Sequence, residues 1–298
     1  MDSAALSHNE PRKSSAFFLW KFRDNPFGEA IIACAKENEQ IVGCVAMGMQ
    51  EFLYDGAIIK GAVSFETFVH PSHQGKGLFK KLITLAENEC RNRGVRFLMN
   101  FPNSKSLPGF TKSGWTKIDV AEYWIKPQNI INVLANIKSL KKVFLSNDFV
   151  AGTETLKQIP TNGANIYPGF KSHLASEYLN WRFFTFPLAH YITVNNDQVF
   201  AVARIGKRGS LRELQVLFVE KKIQEFKLKA LITDFSNKVT FDVISFPISF
   251  ANPIRKKLKN NFFVKVPNRA NVTYKLLEEN LVLNFDKLEL SAVNYHTY

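Results

Sequence analysis

From Ala30 to Val69 the apolar residues run in three extended stretches, AIIACAKE, QIVGCVAMGMQEFLY and AIIKGAVSFETFVHP, parted by the polar Asn38 to Gln40 and by Asp55-Gly56. Strand formers bounded by turn formers predict an antiparallel meander. The period then changes. Between Lys76 and Arg93, Leu78, Phe79, Leu82, Ile83, Leu85, Ala86 and Cys90 recur at helical spacing, and Gly94 stands where a C-terminal cap belongs. A strand from Val95 to Phe101, a helical turn from Asn103 to Lys112 and a further strand, WTKIDVAEYWI, follow.

Residues 127–146 predict a connecting helix with Ile130, Val133, Leu134, Ile137, Leu140 and Phe144 on one side and Lys138, Lys141 and Lys142 on the other. Its apolar side would dock on its own domain; its basic side would suit an anionic membrane surface. Asn147 to Gly169 is polar and loop-like. Strand signals resume in AHYITVN, QVFAVARIG, LRELQVLFVE and VTFDVISFP, with LKALITDFSNK as a helix before the last. The second half thus repeats strand, strand, strand, helix, strand. The expected organisation is α/β (α+β): a first domain over 1–126, a helical connector and loop over 127–165, and a second domain over 166–298.

Composition narrows the partners. The 298 residues carry a formal charge of +13, which favours an anionic ligand, whether nucleic acid, phosphorylated cofactor, nucleotide sugar or membrane face. No arginine-rich arm, zinc-finger spacing or RNP-like pattern appears, so specific nucleic-acid binding is not expected. Cys34, Cys44 and Cys90 form no CxxC pair, and are expected to be reduced core residues rather than a disulfide framework or metal site. MDSAALSHNEPRKSS lacks an apolar segment with a cleavage site, and the greasiest stretch is broken by Lys36, Glu37 and Glu39; the expected location is the cytoplasm.

At the junction of the third strand and the helix stands HQGKGLFKKL. A plain turn would explain it. The sharper alternative is a phosphate site, because a helix N-terminus offers unpaired N–H groups and glycines keep side chains away from them. Neither the Rossmann pattern nor the Walker pattern fits, since Lys80 occupies the third glycine place and no Gly-Lys-Ser/Thr ends the loop.

This segment resembles the pyrophosphate motif of the GNAT (Gcn5-related) N-acetyltransferases, which reads Gln or Arg, two residues, Gly, one residue, then Gly or Ala. Gln74, Gly77 and Phe79 stand at these places, the last a departure. FPNSKSLPGFTKSGW resembles the family's later region through Asn103, Phe110, Gly114 and Trp115. WKFRDNPFG, and EYLNWRFFTFP with Tyr191, look like a bacterial subgroup that pairs a true domain with a degenerate one and is often associated with surface-polysaccharide biosynthesis. The resemblance, over about residues 14–126, implies a GNAT fold with a mixed, mostly antiparallel sheet flanked by helices, followed by a second GNAT-like domain shaping the acceptor site. It implies acetyl-CoA as acyl donor, its diphosphate held by Gln74, Gly75, Lys76, Gly77, Leu78 and Phe79, with Phe68 and Val69 on the preceding strand and Asn103 beyond.

Acetyl transfer to an amine needs a neutral nucleophile, an oxyanion donor and a proton source for the leaving thiolate. A backbone N–H near Val69 would polarise the carbonyl. Glu66 is the candidate base, on the strand entering the turn beside Phe65 and Phe68; the chain-terminal carboxylate of Tyr298 is another, as in some tandem-domain relatives. The family's usual tyrosine acid is replaced by Phe110, so Tyr123 is the candidate acid, the alternative being a thiolate that leaves unaided. His70 and His73 read as turn or surface residues, with a proton relay as the alternative. Trp181 and Arg182, beside Tyr178 and Asn180, are candidates for binding an amino sugar or phosphate, or else a structural helix end; Arg255, Lys256, Lys257 and Lys259 read as a solvated basic run. The leading expectation is an acetyl-CoA-dependent N-acetyltransferase acting on a small amine, an amino sugar or nucleotide-linked sugar being the first class to test. A Fem-like aminoacyltransferase using charged tRNA and a non-catalytic coenzyme-binding protein are the rivals.

Overall fold

A computed structural model describes residues 14–142, 144–145, 169–186, 191–267 and 270–295. In chain order the first elements are α1 (Ser15–Phe22), β1 (Ile31–Glu37), β2 (Gln40–Tyr54), β3 (Ala57–Val69), α2 (Leu78–Asn92), β4 (Phe97–Asn100), α3 (Leu107–Lys112), β5 (Thr116–Ile118), β6 (Ala121–Pro127), α4 (Ile130–Ala135) and β7 (Phe144–Leu145). There follow β8 (Phe170–Ser172), α5 (Ser176–Phe183), β9 (Ile192–Asn195), β10 (Val199–Arg208), β11 (Leu211–Lys221), α6 (Leu228–Lys238), β12 (Val243–Ser249), α7 (Ile254–Asn260), β13 (Val264–Val266) and β14 (Val272–Leu276).

These elements form two units, each built from separated pieces of chain. One comprises Met1–Asp119, Ile166–Pro187 and Arg269–Phe285; the other comprises Val120–Asn165, Leu188–Asn268 and Asp286–Tyr298. The divisions therefore fall elsewhere than the expected 126 and 166. WTKIDVAEYWI, expected as one strand, is two: β5 closes the first sheet and β6 enters the second. Conversely, β8 and β14, which follow residue 165, belong to the first.

The first unit holds a mixed sheet in the order β8, β2, β3, β4, β14, β5, with β1 also paired to β2. The meander β1–β2–β3 is antiparallel, as the strand and turn formers predict. Its hairpin turns hold Asn38, Glu39, Asp55 and Gly56 at positive φ, the backbone that matches the strand twist. α2 carries the chain across to β4, which lies parallel to β3. Leu82, Ile83, Ala86 and Cys90 of α2 pack on Val45, Met47, Ala62 and Leu98. Cys90 is buried and its thiol is pushed up to about 12 by burial. Cys34, expected in the core, is exposed, with its Sγ 3.5 Å from that of buried Cys44 on the neighbouring strand.

The second unit repeats the plan: β9, β10 and β11 form a meander, α6 crosses over, and β12 lies parallel to β11. Its sheet runs β13, β6, β12, β11, β10, β7. In each unit the antiparallel strand after the crossover comes from a piece of chain remote in sequence: β14 pairs β4, and β6 pairs β12.

Buried charges fasten both of these strands. Lys275 of β14 donates to Glu87 of α2 at 2.7 Å, and Trp115 Nε1 donates to the same carboxylate at 2.9 Å. Glu122 of β6 accepts from Arg255 at 2.7 and 3.1 Å and from Trp124 Nε1 at 2.8 Å. Burial alone would raise the Glu122 carboxyl, but the bonds from Arg255 and Trp124 outweigh it and hold it below the usual range. The Glu87 side chain is 4% exposed, so Lys275→Met strands a buried carboxylate and is expected to cost about 3–5 kcal/mol in urea unfolding. Lys275→Met/Glu87→Gln is expected to recover more than half of that loss; equal losses in the two variants would show that the pair does not fasten β14.

Candidate functional site

The site residues of the first unit gather where β3 runs into α2. Register along β2 and β3 passes from Cys44↔Phe68 to Ala46↔Phe65, so Glu66 and Thr67 bulge out of the ladder. Glu66 sits at φ 44, a conformation unusual for a non-glycine residue and of the kind that collects at functional sites. Its Oε1 lies 2.6 Å from Nζ of Lys21, whose own side chain is 3% exposed and whose ammonium lies 4.7 Å from the Phe65 ring centroid. The expected apolar setting from Phe65 is thus joined by a buried cation that a sequence separation of 45 residues concealed.

Past the bulge the sheet opens. β3 pairs with β4 only from Gly61↔Phe97 to Ser64↔Asn100, so Phe65 to Val69, including the candidate coenzyme residues Phe68 and Val69, run on beyond the end of β4. Then His70 to Gln74 fold into a turn: His70 Nδ1 and His73 Nδ1 each contact Ser72 Oγ at 2.8 Å, and His73 Nε2 lies 3.1 Å from Glu37. Both histidines are turn residues, as expected. Gln74 ties the turn back to the strand by donating to the Val69 carbonyl at 3.0 Å.

Gly75 and Gly77 have φ of 75 and 74, and a Cβ on either would meet nothing within 4 Å. The glycines therefore serve the left-handed backbone, and the space before them is open. α2 begins at Leu78 with no side-chain cap. Its first hydrogen bond, from Lys81 N–H to the Gly77 carbonyl, leaves the earlier amides without intrahelical partners, and Lys76 is exposed beside them. Phe79, in place of the family's small residue, turns its ring away: it lies at a T-shaped 5.3 Å from Phe110 and within 3.0–3.2 Å of where a Gly109 Cβ would stand. Phe110 is itself buried against Trp115. Asn103 accepts through Oδ1 from the amides of Lys105 and Ser106, capping the turn that opens α3.

Three further candidates are Trp181, Arg182 and Tyr123. Trp181 of α5 stacks on Trp20 of α1 at 4.9 Å, each indole N–H donating to the other residue's carbonyl at 2.8 Å. Arg182 is buried, its guanidinium 5.8 Å from the Phe183 ring centroid. The Trp pair floors an open cleft of about 520 Å³ edged by Asp24, Glu177, Asn180 and Thr185. Tyr123 belongs to the second unit. Its hydroxyl donates to Glu213 at 2.5 Å, accepts from Gln215 at 2.8 Å, and has Arg208 over its ring. Burial and then the Glu213 charge push its phenol well above the ordinary value. Tyr298 lies outside the described residues, and no cluster of metal-ligating side chains occurs among those described.

Residues 3–118 match the family model described as an acetyltransferase (GNAT) domain. No curated protein matches the chain. A GCN5-related N-acetyltransferase from Anabaena variabilis is similar in structure at a TM-score of 0.56 and 10% identity, over 82% of this chain and 62% of its own. Eis1 from Mycobacterium abscessus gives 0.53 at 13% identity, over 93% of this chain and 72% of its own. A probable N-acyltransferase of unknown function from Enterococcus faecalis gives 0.60 at 10% identity, over 93% and 69%. The family match covers less than half of the chain, and at such identities the solved structures speak for fold alone, which is the GNAT fold. No helix among the described residues is long and apolar enough to cross a membrane.

The Trp20–Trp181 clasp predicts measurable coupling. In a double-mutant cycle of Trp20→Phe and Trp181→Phe, the interaction energy is expected at about 0.5–1.5 kcal/mol; additive losses would show that the stack and its paired bonds contribute nothing jointly.

Proposed function

We propose that the protein transfers an acetyl group from acetyl-CoA to a primary amine, using the first unit. The observation that carries this reading is the left-handed glycine pair at the start of α2, whose outward amides adjoin the opening between β3 and β4. Such amides suit a diphosphate, Lys76 adds charge to them, and the opened edge of β3 suits the amide-bearing arm of the coenzyme. The coenzyme supplies an activated thioester.

The chain's own groups would do the rest. Glu66 takes a proton from the acceptor ammonium, with Lys21 fixing the carboxylate in the bulge. The amine nitrogen then bonds to the carbonyl carbon, the C–S bond breaks, and the thiolate takes its proton from solvent or from the amine that has reacted. Tyr123 is given no part in this scheme, because its phenol is committed to Glu213. The cleft edged by Asp24 and Glu177, stacked on Trp181, suits a cationic amine with a flat or sugar-like face. An amino sugar remains the first acceptor class to test, and the membrane-envelope sugars of polysaccharide synthesis the first panel. The second unit has Gln224, Glu225, Phe226 and Lys227 before α6, with no glycine and with Phe226 buried, so we assign it no coenzyme.

Calorimetry with acetyl-CoA tests the carrying observation. Gly77→Asp is expected to weaken binding at least about tenfold, a carboxylate against a phosphate being worth a kcal/mol or more. Gly94→Asp controls for strain, since Gly94 has φ 73 and equally open surroundings at the far end of α2; it is expected to bind as wild type does. No binding by wild type, or equal loss in both variants, would remove the reading. Where wild type binds, Glu66→Gln is expected to lower kcat about a hundred- to ten-thousand-fold with unchanged acetyl-CoA affinity. An unchanged kcat would take the base role from Glu66.

A further inference from the structure

α4 and the turn after it present their apolar side outward. Ile130, Ile131, Leu134 and Ile137 are 65, 83, 65 and 57% exposed, whereas Val133 is buried and Leu140 packs partly beside it. The helix is held by its polar residues instead: Asn132 donates to Asp242 at 2.8 Å, Asn129 caps the first turn, and Ser139 accepts from the Ser210 amide. This reverses the expectation that the apolar side docks on its own domain. Four large aliphatic side chains within eight residues are left in water, a cost that scattered surface residues do not explain.

Charge indicates what covers them. Lys138, Lys141 and Lys142 are exposed on the same short segment, and between Glu122 and Asp148 the sequence has no acidic residue. Aliphatic side chains flanked by lysines whose long stems can reach outward are the makings of a segment that lies in a membrane interface. The patch is also small for a protein partner, since four side chains fall short of the roughly 800 Å² per side of a standard interface. We propose that Ile130 to Lys142 is a peripheral docking segment for an anionic lipid surface, the aliphatic side chains entering the headgroup boundary and the lysines pairing with lipid charge. This holds whether or not the first unit transfers acetyl groups, and it would place the enzyme beside acceptors made at a membrane.

Co-sedimentation of the full chain with vesicles of phosphatidylcholine, alone or with about one third phosphatidylglycerol, tests it. Wild type is expected to bind the anionic vesicles, to bind the neutral ones far less, and to be released by salt. Ile131→Ser/Leu134→Ser is expected to bind at least about tenfold more weakly, and each of Lys138→Gln, Lys141→Gln and Lys142→Gln roughly fivefold more weakly. Because these residues are exposed, the variants should melt as wild type does, and Ile58→Ser, at an exposed site in the other unit, should bind normally. Failure of wild type to bind anionic vesicles, or binding unchanged in Ile131→Ser/Leu134→Ser, overturns the proposal. Self-association that the same double variant abolishes, without vesicle binding, would assign the patch to a second copy of the chain and overturn it equally.

Discussion

The hydrogen-bonding demand of two parallel strands governs this chain. β4 and β12 each emerge from a helical crossover with one edge already paired to β3 or β11, and each needs an antiparallel partner on the other edge. Continuous sequence does not supply it. β6, two residues beyond β5, pairs with β12, and β14, close after β13, pairs with β4. Neither unit is therefore complete as a contiguous stretch of chain, and a cut at residue 126 would leave β4 with a bare edge and Glu87 without Lys275. The buried carboxylates Glu87 and Glu122 also select register: a β14 shifted by one residue would turn Lys275 to the other face of the sheet, away from Glu87.

That constraint explains which parts were legible in the sequence. The β1–β3 meander, α2 and its glycine entry are fixed by local patterns, and each appears where the strand formers, helical spacing and turn chemistry place it. The strand exchange is not local. WTKIDVAEYWI reads as one strand because nothing in its pattern marks Asp119 and Val120 as the point of departure for a second sheet. Lys21 and Trp20 were equally hidden: a lysine in an apolar helix looks solvated, and its value as the partner of Glu66 emerges only when α1 is brought beside the bulge. α4 misled for a different reason. Amphipathic periodicity gives the existence of a greasy stripe, and the assumption that a stripe faces inward is a rule about most helices, which Asn132 and Asp242 override here.

The two units can be compared at matching places in the fold. Both units bulge the strand that precedes the crossover. In β11 the register passes from Val202↔Phe218 to Ala203↔Val216, skipping Leu217, as β3 skips Glu66 and Thr67. Both also release that strand from its parallel neighbour soon after it begins. The shared bulge and opening are thus properties of the architecture, stored in main-chain geometry and independent of chemistry.

Chemistry enters through the side chains set on this scaffold. At the bulge, the first unit has a carboxylate held by a buried ammonium, while the second has a leucine that is 2% exposed. At the crossover, the first has two left-handed glycines facing open space, and the second has a buried phenylalanine that draws the turn into its core. An anion approaching α6 would find Glu225 and a closed turn where α2 offers amides and Lys76. The same fold therefore presents an open, glycine-lined turn in one unit and a closed, phenylalanine-filled turn in the other. Since main-chain topology is common to both, the difference between the two turns lies in their side chains rather than in the fold.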